Sequence, residues 1–88
     1  MYSLVYKSSV KKEFASIPKK DVENIIEKIK GLKTNPLPVG VKKIKKGAVS
    51  YFRLRCGNFR VGYLLDFSEK VVRIVYIRKR NESTYSNL

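Results

Sequence analysis

Eighty-eight residues hold one domain with a single modest core and leave no room for a second. The 43% of hydrophobic residues exclude a disordered chain. Twenty Lys and Arg against seven Asp and Glu give a net charge of +13, a one-sided field that suits a polyanion, nucleic acid first, an acidic protein second, and an anionic membrane or plain solubility last.

The excess is uneven. Residues 1–41 carry eight basic and four acidic side chains, and residues 42–80 carry twelve and two. In chain order, "YSLVY" (2–6) is rich in β-formers and predicts a strand. Ser8 and Ser9 offer N-caps to a short helix with Val10, Phe14 and Ile17 on one face, and Pro18 ends it. A second helix opens at Pro18 or Asp21. Its stripe is Val22, Ile25, Ile26, Ile29 and Leu32, with lysines and glutamates opposite. The second stripe has a partner-binding face as its alternative reading, but it reads first as core, because a small domain needs every such face for itself.

"TNPLP" (34–38) is a loop and "KKIKKG" (42–47) a basic connector. "VSYFRLRC" alternates and predicts a strand; "GN" (57–58), with Gly first, fits a type II′ turn; "FRVGYLLD" returns. "FSEK" turns again, "VVRIVYIR" is apolar enough to lie inside a sheet, and a polar tail follows. The order β-α-α-β-β-β predicts a single α+β domain over residues 1–88. Its sheet is twisted and mainly antiparallel, with a two-helix hairpin packed on one face. The N-terminus enters a strand and no apolar run spans a bilayer, so a cytoplasmic location and no membrane partner are expected.

With Gly57 and Asn58 as loop residues, Cys56 pairs with Phe59, Arg55 with Arg60, Leu54 with Val61 and Arg53 with Gly62. One face then carries Phe52, Leu54, Cys56, Phe59, Val61 and Tyr63, which reads as core, with Cys56 a buried inert thiol. The other carries Tyr51, Arg53, Arg55, Arg60 and Gly62. Like charges directly opposite cost up to about 1 kcal/mol. A solvated face with arginine stems covering apolar surface is one reading. An anion site is the other: every charge on this face is positive, and each is arginine although no Arg precedes position 53. Arginine's planar fork grips phosphate through paired hydrogen bonds. Gly62 reads as room for a ligand to approach. In the last strand Arg78 and Arg80 share a parity with Tyr76 and Ile74, and the sequence leaves open which face that is. Tyr85 is either an anchor for the C-terminus or a phenol able to stack on a base or move a proton.

The chain has no histidine and one cysteine. That excludes His-based acid–base pairs and a Cys/His zinc site, and the scattered carboxylates argue against a two-metal nuclease. No phosphate-cradling Gly-rich loop is present, and no cofactor is expected. Metal-free chemistry on RNA remains possible, since the 2′-hydroxyl is an internal nucleophile and arginines can stabilise the phosphorane-like charge. Tyr and Lys ordinarily titrate near 10 and are poor bases at neutral pH. Efficient cleavage then needs strong positioning of the substrate, and a partner that holds the RNA is one means of it.

"YFRLRCGNFRVGYLLD" and "VYIRKRNESTY", in this order of elements, resemble the RelE/ParE superfamily of toxins from type II toxin–antitoxin systems. The resemblance covers almost the whole chain. It implies a cytoplasmic toxin held inactive by a cognate acidic antitoxin in a hetero-oligomer. In the RelE-like branch it implies an endonuclease that enters the ribosomal A site and cuts mRNA there. Carried over by motif, Arg53, Arg60, Arg80 and Tyr85 are the catalytic residues. Arg53, Arg55 and Arg60 would grip the scissile phosphate, Arg80 would support the leaving group or the transition-state charge, and Tyr85 would stack or shift a proton. Lys45, Lys46 and Arg78 are further substrate contacts. The chain departs from the pattern in three ways. Tyr51, Phe52 and Arg53 stand where some RelE-like members carry two lysines, a place Lys45 or Lys46 could fill by position; the Arg80-to-Tyr85 spacing is a residue short; and the histidine that other branches use is absent. The gyrase-poisoning ParE branch shares the fold, and a catalytically inactive basic nucleic-acid-binding module is the third reading.

Overall fold

The computed structural model describes residues 1–79. They form β1 (Ser3–Tyr6), α1 (Ser8–Ala15), α2 (Lys19–Gly31), β2 (Lys42–Lys46), β3 (Val49–Cys56), β4 (Phe59–Asp66) and β5 (Val71–Lys79). One sheet runs β1-β5-β4-β3-β2, with β1 parallel to β5 and the other neighbours antiparallel. The expected α+β fold is present, and "VVRIVYIR" lies inside the sheet as its composition predicts. No described helix is long and apolar enough to cross a membrane.

The helical stripes build the core. Val10 from α1, Ile25 and Ile29 from α2, and Leu32 just after it are buried together with Leu54, Val61, Tyr63, Val72, Ile74 and Ile77 from the sheet. Neither Ser8 nor Ser9 caps α1; Lys7 holds the N-cap position, and Pro18 holds it for α2. Helix α1 packs along β5 and α2 reaches β3, on the same side of the sheet. β1 pairs with β5 only as far as Ile74. Beyond that point the Ile77 N–H donates to the Glu13 carboxylate of α1 at 3.3 Å, so a helix side chain supplies the partner a strand would give.

Two features depart from the expected layout. The basic connector is a strand. Lys42–Lys46 pair with Val49–Arg53, turning through Gly47, whose φ of 63° suits glycine. Gly47–Ala48 is a two-residue turn with Gly first, the same form as Gly57–Asn58, where Gly57 has a φ of 59°. The second feature is a β-bulge. Gly62 pairs with Tyr76 and Tyr63 with Ile74, leaving Val75 as the extra residue of β5. The bulge breaks the shared parity of Ile74 with Tyr76 and Arg78. Ile74 and Ile77 both enter the core, while Tyr76 and Arg78 sit on the helix-free face.

Candidate functional site

The β3–β4 register is the expected one: Arg53 opposes Gly62, Leu54 Val61, Arg55 Arg60, and Cys56 Phe59. Leu54, Cys56, Phe59, Val61 and Tyr63 are buried, so strand alternation sends Arg53, Arg55 and Arg60 to the helix-free face. The neighbouring strands extend this pair into two rows. In one, Arg55, Arg60 and Arg78 stand side by side on β3, β4 and β5. In the other, Lys42, Arg53, Gly62 and Tyr76 run across β2 to β5. Neighbouring strands lie about 4.8 Å apart and same-face residues about 7 Å apart along a strand. Five cationic positions therefore share a patch a few residues wide, and neither row contains a carboxylate.

Tyr76 organises the second row. A Cβ at Gly62 would overlap its ring, so the space expected to admit a ligand is already filled by an aromatic side chain. The missing side chain at Gly62 serves that ring. Arg78 lies over the ring, its guanidinium carbon 4.8 Å from the centroid, a cation–π arrangement. Tyr51 meets the ring edge-on at 5.8 Å between centroids. Burial raises the Tyr76 phenol to about 12, a hydrogen bond with Tyr51 adds to the rise, and Arg53 and Arg78 oppose it. Tyr76 is therefore a neutral phenol at physiological pH. It can hold the arginines in place but cannot serve there as a base.

The remaining candidates divide. Arg78, whose face the sequence left open, joins the cluster. Lys46 opposes Val49 on the helix-free side, four residues along β2 from Lys42 and about 13 Å away at strand spacing. Lys45 opposes Ser50 and lies on the other side of the sheet, so neither lysine joins the arginines. Lys42 takes the place beside Arg53 instead. Reading Gly47–Ala48 as a hairpin turn would have found it. Arg80 and Tyr85 lie outside the described residues. Cys56 is buried, and desolvation raises its thiol pKa, as an inert thiol requires. Among the described residues no group of His, Cys, Asp or Glu could hold a metal ion.

The chain is similar in sequence and fold to known proteins. A family model for the ParE toxin of the parDE type II toxin–antitoxin system matches residues 4–84. A Methanocaldococcus jannaschii protein described as a candidate toxin, RelE1, is 38% identical over 82 residues, covering 89% of this chain and 88% of that protein. Among solved structures, a chain of the archaeal RelE–RelB complex from Pyrococcus horikoshii is similar with a TM-score of 0.80 and 27% identity, over 91% of this chain and 96% of that one. The isolated RelE toxin of E. coli is similar with a TM-score of 0.74 over 99% of this chain and 94% of that one, and at 19% identity this likeness concerns the fold.

Proposed function

Because the chain belongs to the RelE/ParE superfamily, and is a RelE-like toxin of a type II toxin–antitoxin system, we propose that it is a ribosome-dependent endonuclease that cuts mRNA in the A site. The observation that carries this reading is the row Arg55–Arg60–Arg78 with Arg53 beside it. Three forks side by side on adjacent strands suit a phosphate gaining charge better than a neutral ligand.

The step has a simple balance. The ribose 2′-oxygen bonds to phosphorus and loses its proton. The P–O5′ bond breaks, and the leaving oxygen gains a proton. Products are a 2′,3′-cyclic phosphate and a 5′-hydroxyl end. Arg53, Arg55 and Arg60 hold the non-bridging oxygens, and Arg78, stacked on Tyr76, adds positive potential. Arg80 is assigned to the leaving group and Tyr85 to base stacking or proton movement, both from the family pattern. A chain with no histidine has no ordinary base near neutral pH. Positioning then carries most of the rate, which accounts for a substrate presented by the ribosome.

The proposed inhibitor is an acidic antitoxin whose carboxylates neutralise the same arginines. The solved complexes of P. horikoshii and M. jannaschii pair RelE with RelB. The match to the ParE family model favours a second reading, a gyrase poison that binds without cutting RNA. Expression in growing cells separates the two. The nuclease reading expects growth arrest that is lost with Arg60→Ala or Arg80→Ala and no DNA-damage response. Arrest with such a response and intact mRNA would support the gyrase reading.

A further inference from the structure

Strand β2 is shorter than β3. Its pairing ends at Lys42 opposite Arg53, so Leu54 to Cys56 border β3's open edge. A cleft of about 470 Å³ lies there. Lys28 of α2 lines one side, and Val39 and Gly40 of the loop before β2 line another. Lys42, Arg53, Arg55 and Arg60 connect it to the arginine face. Lys28 is an exposed residue on the helix side of the sheet, yet it lines the same cleft as Arg53 on the opposite face. Its charge also acts on the Cys56 thiol, opposing the upward push of burial. The cleft therefore leads round the sheet edge from one face to the other, and among the described residues its lining holds no carboxylate.

We infer that this cleft is a second phosphate subsite. A single RNA strand gripped at Arg53, Arg55 and Arg60 turns over the open edge of β3 and sets a neighbouring phosphate between Lys28 and Lys42. The inference rests on reading the chain as an RNA-cutting toxin. The volume falls within the range that takes a small ligand, about 300–1,000 Å³. Gly40 and Gly57 keep side-chain bulk out of it. A helix of an acidic protein would need an apolar footing for its buried face. Among the described lining residues only Val39 and Leu54 offer one, whereas phosphates and ribose need cations and space.

The test is the salt dependence of binding to a short 2′-O-methyl oligouridylate, which has no free 2′-hydroxyl and cannot be cut. Lys28→Ala is compared with Lys30→Ala, which removes the same charge from an exposed site on the same helix outside the cleft lining. A contacted phosphate on a single strand contributes about 0.7 to the slope of log affinity against log salt. Lys28→Ala should lower that slope by about 0.7, and Lys30→Ala should leave it unchanged. Equal effects of the two variants, or no change for Lys28→Ala, would overturn the subsite. So would weakened binding of an octaglutamate peptide by Lys28→Ala with RNA binding intact, which would make the cleft a carboxylate site. The assay involves no cleavage. A protein that leaves mRNA uncut but shows the Lys28 slope would refute the nuclease reading and keep the subsite, and a cutting protein without the slope would do the reverse.

Discussion

The ring of Tyr76 occupies the position a side chain at Gly62 would take on the neighbouring strand. That relationship joins the fold to the site. The Val75 bulge brings Tyr76 to the helix-free face, Gly62 makes space for its ring, and Arg78 and Tyr51 pack on it. Gly62→Ala should lower stability by about 1–3 kcal/mol, the usual cost of overpacking. Urea denaturation measures the loss. In the double variant with Tyr76→Ala the two costs should be less than additive, since the clash is gone. Additive losses would mean that the ring and Gly62 are not coupled.

The cluster should depend on the Tyr76 ring more than on its hydroxyl. Tyr76→Phe keeps the surface under Arg78, whereas Tyr76→Leu removes the aromatic face, worth about 0.5–1 kcal/mol at an exposed cation–π pair. Binding of the uncleavable oligouridylate should fall severalfold for Leu and change little for Phe. A loss in Phe equal to that in Leu would shift the role to the Tyr51 hydrogen bond.

Alkaline pH should expose the buried phenols. Burial pushes Tyr63 up to about 12, and its hydroxyl donates to the Pro36 carbonyl at 2.7 Å. The neutral form is the one the fold favours. Its contribution is complete below the ordinary value near 10 and is lost as pH rises through about 12. Ultraviolet titration should show a late-ionising group of tyrosines containing Tyr63 and Tyr76. Tyr63→Phe should remove one member of it. An unchanged late phase in Tyr63→Phe would contradict the burial account.

Ile29 is buried where α2 meets the sheet core. Ile29→Ala should cost about 2–5 kcal/mol. In a domain of this size each kcal/mol lowers Tm by about 4–8 °C. Calorimetry of Ile29→Ala against Ile26→Ala, which starts half-buried, should show the larger drop for Ile29.

The arginine hairpin is legible in the sequence because a two-residue Gly-first turn fixes the register, and register fixes the face of every side chain between Phe52 and Tyr63. The helical stripes are legible for a similar reason: their period leaves one way to bury Val10, Ile25 and Ile29. Two things are not. Ile44 is the single strong β-former among the five residues of β2, so the strand is hidden in a lysine run. It forms because β3 offers an edge and Gly47 turns the chain back. The face of Arg78 is hidden because a bulge depends on packing: without the extra residue at Val75, Ile74 and Ile77 could not both point inward. Sequence parity alone cannot report that, and it also assigns Gly62's space to a ligand when Tyr76 fills it.

The most direct test of the central claim uses purified protein, ribosomes programmed with a defined mRNA and an empty A site, and mapping of the mRNA 5′ ends. The account predicts new 5′-hydroxyl ends within the A-site codon, dependent on the ribosome and lost in Arg60→Ala. Intact mRNA on ribosomes, with wild-type protein that still arrests growing cells, would contradict it.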